Sequence, residues 1–223
     1  MGSTWTALSL SLTVALWATG ICLLTGTGLG YLLARCKFRG KDIVDALLTL
    51  PMVMPPTVLG YYLLVLLGRK GPIGSWLQSQ FGINLIFTWQ GAVIASAVVA
   101  FPLVFKAARA AFEVVDPQLE KAGRVLGISE AAIFFRITLP LAWRGILSGA
   151  LLAFARSMGE FGATLMVAGS IPGKTQTLSI AVYEAVQAGQ DDVAATLVVI
   201  TSVTCIAVLL AAGRLAPGQV ASR

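Results

Sequence analysis

Arg156 and Glu160 are the residues of this chain best placed to act on a solute. Their four-residue spacing sets a guanidinium and a carboxylate on one face of a helix, inside an apolar run. The surrounding segment, Ala155-Arg156-Ser157-Met158-Gly159-Glu160-Phe161-Gly162-Ala163, adds the Ser157 hydroxyl, with that of Thr164 just beyond. Gly159 and Gly162 flank the carboxylate and permit close backbone approach. On insertion scales a charge at the bilayer centre costs about 2.5–3.5 kcal/mol, whereas an i,i+4 ion pair returns only about 0.2–0.5 kcal/mol. The pair therefore cannot face lipid. Two readings stay open: Arg156 lends positive potential to the path of an anion while Glu160 holds it in place, or the two form a structural salt bridge at a helix interface.

Other chemistry finds little support. The chain has no histidine, which removes the commonest proton shuttle and metal ligand. No serine has a lysine or carboxylate at catalytic spacing within one apolar run, so no catalytic residue is assigned and an intramembrane enzyme is disfavoured. Cys22, Cys36 and Cys205 are far apart in sequence, and three free thiols with no disulfide, metal or cofactor are expected. The segment from Ala168 to Gly173-Lys174-Thr175 matches a loose nucleotide-loop pattern. A phosphate loop follows a buried strand and opens a helix, whereas this one follows an apolar run and contains Pro172.

These residues must be carried by membrane helices. The composition is 57% hydrophobic and 12% charged, with mean hydropathy +0.85, far below the roughly one-quarter charged residues of soluble domains. A spanning helix needs about 20 mostly apolar residues, and five stretches reach that length, at about 8–34, 43–67, 89–111, 145–169 and 193–213. The expectation is an all-α polytopic membrane protein of about five spans in a single domain. Pro51, Pro55 and Pro56 break the second span; such a break cannot face lipid and either shapes a translocation path or kinks a packed helix. Small residues in the first span (Gly26, Gly28, Gly30) and at Gly145, Gly149 and Ala153 predict close helix packing. With the N-terminus outside, twelve lysines and arginines fall on the inner side and three (Arg69, Lys70, Lys174) on the outer, with Arg156 inside a span. That orientation puts the C-terminus in the cytoplasm and explains the net charge of +6 without nucleic acid. The first run is too long for a signal-peptide core, so it is expected to remain as a helix. Outside, Gly71-Pro72 opens a short turn and helix, and 177–188 predicts an amphipathic helix with Leu178, Ala181, Val182 and Val186 on one stripe, one possible contact for an external partner.

The longest polar stretch, Lys106 to Arg144, lies between the third and fourth spans, with a loop over 112–144. Asp116 is a helix N-cap with Pro117 at the first helical position, and Gly127 suits a helix C-terminus. Ser129 caps a second helix over Glu130 to Arg136, which Pro140 is expected to end. The product is a helix–turn–helix elbow showing Val125, Leu126, Ile128, Ile133, Phe134 and Phe135 beside Lys121, Arg124 and Arg136, a surface suited to a protein partner.

The spacing of Ala122, Gly127, Ile137, Leu139 and Pro140 resembles the cytoplasmic signature loop of permease subunits of ATP-binding cassette importers. The first and third motif positions depart, as Lys121 and Gly123, with an acidic residue one place early at Glu120. Leu50-Pro51 with Pro55-Pro56, Gly60-Tyr61-Tyr62 and the run around Arg156 resemble the molybdate/sulfate branch of these permeases. The resemblance implies a type I importer permease fold with a coupling helix, in a bacterial or archaeal cytoplasmic membrane. It implies two copies of the chain, two separate ATPase subunits, an external solute-binding protein and surrounding lipid. Coupling would involve Glu120, Lys121, Ala122, Gly127, Ile137, Leu139 and Pro140. The path of a tetrahedral oxyanion, molybdate or else sulfate or tungstate, would involve Pro55, Pro56, Arg156, Ser157, Glu160 and Thr164. An autonomous channel would have no use for such an elbow.

Overall fold

The computed structural model describes residues 2–215, with side-chain surroundings for 4–210; residues 216–223, which hold Arg223 of the inner basic set, lie outside the described residues. Every regular element among them is helical: α1 (Gly2–Arg35), α2 (Lys41–Val53), α3 (Pro56–Leu67), α4 (Pro72–Phe81), α5 (Trp89–Val114), α6 (Pro117–Val125), α7 (Glu130–Ile133), a π-turn (Phe134–Thr138), α8 (Leu139–Met158), α9 (Gly162–Ala168), α10 (Leu178–Gln187) and α11 (Asp191–Leu215). Four helical runs are long and apolar enough to cross a membrane: Thr4–Arg35, Trp89–Val114, Glu130–Met158 and Asp191–Leu210. The pair α2–α3 makes a fifth if counted as one.

α5 is the central helix, packed on α1, α8, α2 and α9. Lipid supplies no hydrophobic drive between helices, so contact depends on close backbone approach. A Cβ at Gly30 would stand 2.9 Å from the Arg109 nitrogen, and one at Gly149 would stand 2.5 Å from the Ala107 Cβ. Gly26 and Gly30 of α1 and Gly145 and Gly149 of α8 thus form seams against α5, whereas Gly28 faces open space. Cys22, buried in the first seam, donates from its thiol to the Ala97 carbonyl.

The second span, 43–67, is broken as its prolines predict, bent by 110° between α2 and α3 with Pro51 kept inside α2; two other expectations need correction. Met54 and Pro55 each precede a proline, which disfavours the helical region, and both are extended, at ψ 142° and 134°. The run 145–169 is not one helix either, because α8 stops at Met158 and α9 resumes at Gly162. Pro140 does not end the preceding helix. The π-turn at Phe134–Thr138, where the Leu139 N–H donates to the Phe134 carbonyl, widens the register so that proline enters the first turn of α8 and the helix continues from Glu130 to Met158.

At the end remote from the elbow, α4 follows Gly71-Pro72 as expected. On α10, Leu178 is buried with Ala181 and Val182 packed beside it, but Ile180 and Ala185 fill the remaining buried places while Val186 is exposed. Thr175, in the lysine-threonine loop, is wholly buried; its hydroxyl accepts from the Ile171 N–H, and no helix opens until Leu178.

Candidate functional site

The elbow is built from local signals that operate as the sequence places them. Asp116 accepts from the Gln118 N–H at 2.9 Å, and Pro117 opens α6. Gly127 turns the chain at φ +74°, a conformation that L side chains rarely adopt. Ser129 accepts from the Ala132 N–H and starts α7. Arg124 donates to both Glu130 oxygens, at 2.6 and 3.0 Å, which closes the angle of the elbow and raises the arginine's pKa above its ordinary value, chiefly through that hydrogen bond. Gly123 is buried, and a Cβ there would lie 3.0 Å from Ile133 Cγ1, so the third motif position is glycine because Ile133 occupies the space.

The exposed face of the elbow carries Leu119, Val125, Leu126 and Phe135, with Val125 and Leu126 at 87% and 77% exposure. Lys121, Ala122, Gly127 and Pro140 are exposed beside them. Ile133 and Phe134, expected on this face, turn inward: Ile133 is buried, and Phe134 meets Tyr31 edge-on at 4.8 Å. Ile137 and Leu139 are half-buried supports, Leu139 packing against the cluster of Ala108 and Phe112.

Glu120 departs most from expectation. Its side chain is only 4% exposed, not displayed for docking. One oxygen, Oε1, accepts from Arg35 Nε at 3.0 Å, Arg35 Nη2 at 2.7 Å and Thr138 Oγ1 at 2.9 Å. Arg35 also donates to the Val115 carbonyl at 3.2 Å. One carboxylate therefore ties α6 to the end of α1 and to the π-turn. Nothing in the local spacing reveals this brace, because Arg35 lies 85 residues from Glu120. A second long-range tie was equally hidden: Asp45 of α2 receives both Lys106 and Arg109 of α5, and Arg109 also meets Glu113.

The two helix breaks meet at the other candidate site. A cavity of about 280 Å³ is lined by Pro56, Thr57, Arg156, Gly159, Glu160, Phe161 and Gly162. α3 and α9 lie against each other so closely that a Cβ at Gly60 would stand 2.7 Å from Met166 Cβ, and one at Gly162 would stand 3.2 Å from Pro56 Cβ. Glu160 spans the second break: Oε1 accepts from the Ala163 N–H of α9 at 2.9 Å, while Oε2 lies 2.7 Å from Arg156 Nη1, an ion-pair distance without hydrogen-bond alignment. The Glu160 side chain is 1% exposed and that of Arg156 36%, so the carboxylate is inside the wall and the guanidinium reaches the cavity.

The remaining expected path residues fall behind this wall. Pro55 shapes the first break without lining the cavity. Ser157 is buried with its hydroxyl unpartnered. Thr164 is wholly buried, and its hydroxyl faces Ser96 of α5 at 3.4 Å and not the cavity. Irregular backbone at membrane depth is tolerated where it is buried in protein or lines a cavity, and both breaks meet that condition.

Proteins of known architecture share the fold. The chain superposes with a TM-score of 0.75 and 17% identity on a subunit of an inward-facing methionine ABC transporter, covering 97% of this chain and 96% of the other. It superposes with 0.74 and 17% identity on a bacterial alginate ABC transporter solved with its periplasmic protein, covering 94% and 77%. The fold is therefore that of a type I importer permease. In sequence the chain is 48% identical to the molybdenum transport system permease protein of Escherichia coli K12, over 88% of this chain and 86% of that one. It is 44% identical to a putative molybdenum permease of Bacillus subtilis (85% and 84%) and 37% identical to a sulfate permease of Synechocystis (92% and 74%). A family pattern also matches residues 26–219. The elbow, the broken helices and these likenesses converge: the chain belongs to the binding-protein-dependent transport system inner membrane components.

Proposed function

We propose that this chain is the permease subunit of an ATP-driven importer that moves molybdate across the cytoplasmic membrane by alternating access. Two copies form the pathway, two separate ATPase subunits hold the elbows, and an external binding protein delivers the oxyanion. The N-terminus lies outside and the C-terminus in the cytoplasm, in keeping with the basic residues gathered around the elbow end of the bundle. The observation that carries this reading is the elbow itself. It shows Val125, Leu126 and Phe135 to solvent while Glu120 fixes it from within to α1 and the π-turn. A displacement imposed on the exposed face would pass along that brace into the membrane helices, and rocking of such elements is an established way to alternate access.

The cavity at Arg156 supplies a matching feature. Its guanidinium offers positive charge to a passing dianion, while the Glu160 carboxylate restrains it and lowers the net field, which suits weak transient contact better than tight capture. The substrate reading draws on the relatives named for molybdenum transport, and the 37% identical sulfate permease keeps a sulfate or tungstate carrier as the second reading. Reconstitution with the ATPase and binding protein tests both. Molybdate should stimulate ATP hydrolysis and uptake more than sulfate at equal concentration; stimulation by sulfate alone would replace molybdate, and no stimulation by any oxyanion would remove the proposal.

A further inference from the structure

A second cavity, of about 770 Å³, lies where α3 turns into α4, walled by Leu64, Val65, Ile86 and Phe87 and rimmed by Arg69, Lys70 and Asn84. It sits beside the start of α5, whereas the elbow follows the end of that 26-residue helix, so the two are about 39 Å apart at opposite ends of the bundle. Both walls are fixed by backbone. A Cβ at Gly71 would stand 2.1 Å from the Val65 carbonyl oxygen, and one at Gly74 would stand 2.1 Å from that of Gly68, so the α3–α4 turn has essentially one way to fold. Across from it Phe87 is the one non-glycine residue with positive φ among the described residues, at 61°. It is held there by its N–H on the Val167 carbonyl and by its ring against Gly169, yet it remains exposed. A strained aromatic left uncovered by the rest of the chain is an unusual cost to carry without a use.

The charges at this rim also run against expectation. Short outer turns of a membrane protein are poor in lysine and arginine, but Arg69 and Lys70 stand side by side here, both exposed and neither with an ion-pair partner among the described residues. The cavity falls within the roughly 300–1,000 Å³ range that receives an organic group, well above the room an inorganic tetrahedral anion needs. Its floor is apolar. The combination asks for an apolar side chain flanked by carboxylates.

We infer that this cavity is the seat on which the external solute-binding protein docks, inserting an apolar side chain between α3 and Phe87 with acidic neighbours on Arg69 and Lys70. The inference rests on the proposed importer function and adds the place and chemistry of that contact. A partner seated here would press on the outer ends of α3 and α9, whose inner ends carry Pro56 and Gly162 at the Arg156 cavity. Binding outside would then be felt at the helix breaks.

The test uses the whole permease–ATPase complex in nanodiscs with its binding protein. The double variant Arg69→Glu/Lys70→Glu should weaken binding-protein affinity at least tenfold and flatten its salt dependence, with unstimulated ATP hydrolysis unchanged. Should the double variant assemble poorly, Lys70→Cys carrying a short photo-crosslinker should label the binding protein, and labelling only of lipid or of the second copy would overturn the inference. Wild-type affinity in the double variant would overturn it as well. So would loss of a phosphatidylglycerol requirement without loss of affinity, which would make this a lipid site. Direct molybdate binding by the complex alone, abolished in the double variant, would make it a small-anion site and overturn it too. Failure of the wild-type complex to bind any external protein would instead remove the importer function on which the inference stands.

Discussion

Glu120 and Glu160 are both buried carboxylates that face an arginine, yet their surroundings assign them opposite tasks. Glu120 reaches Arg35 across 85 residues, and its Oε1 gathers three hydrogen bonds from two separate elements. Glu160 reaches Arg156 one helical turn away and spends its other oxygen on the start of the helix that follows. The first pair ties α6 to the end of α1 and to the π-turn. The second pair mends a break in one strand of chain and leaves its arginine partly in the cavity. In the proposed transport cycle the pair that crosses the fold carries displacement from the elbow, whereas the local pair shapes the wall of a cavity.

The sharpest way to break that contrast is to remove Glu120. Taking one partner from a buried pair costs about 3–5 kcal/mol, and the partial exposure of Arg35 moves the expected loss for Glu120→Ala to the low end, about 3 kcal/mol. Thermal unfolding of the purified chain should show it as a clear drop. The double variant Arg35→Met/Glu120→Leu should recover most of the stability, as apolar replacement of a buried pair often does, while ATP hydrolysis no longer drives uptake. Full coupling in the double variant would show that the brace holds the elbow but transmits nothing.

Gly127→Val comes next. Open space surrounds the position, so the effect is conformational: φ +74° costs a β-branched residue about 1–2 kcal/mol. The chain should still insert, with more ATP hydrolysed per molybdate moved in vesicles. Gly127→Asn tolerates the left-handed region and should keep coupling near wild type; equal damage from valine and asparagine would mean that the glycine serves contact and not turn geometry.

The elbow was legible because its signals are local. Asp116, Pro117, Gly127 and Ser129 each act on backbone within three residues, and such chemistry depends on type and spacing alone. The spans were legible from hydropathy, and the small-residue seams followed from what lipid demands. What stayed hidden has a common cause. Arg35 and Thr138 on Glu120, like Lys106 and Arg109 on Asp45, meet only after distant helices pack, and no spacing rule reaches across them. The π-turn at Phe134–Thr138 lets Pro140 sit inside a continuous helix, where local propensity reads a stop. The halt after Met158 had a visible hint in Gly159 and Gly162, but the four-residue spacing of Arg156 and Glu160 reads as unbroken helix and conceals it.

On the cavity side, Arg156→Ala should slow oxyanion uptake several-fold with folded yield unchanged, because the guanidinium is already partly solvated. Glu160→Ala should act the other way about: loss of the contact to the Ala163 N–H costs on the order of 1 kcal/mol, comparable to losing a helix cap, and lowers yield. Size-exclusion yield and vesicle uptake, measured on both variants, separate the roles. A fall in yield for Arg156→Ala equal to that for Glu160→Ala would reduce the pair to a structural salt bridge.

Thr164→Val is the smallest expected change and sharpens where the cavity ends. The hydroxyl is buried behind α9 and its Ser96 contact is long, at 3.4 Å. A hydrogen bond of ordinary strength contributes about 0.5–1.5 kcal/mol net, so this one should be worth no more than the lower figure. Valine has nearly the same shape and should leave both unfolding temperature and uptake close to wild type. If uptake falls while stability holds, α9 must turn during the transport cycle and bring Thr164 into the path, which would make the Gly159–Phe161 break a pivot and not a fixed wall.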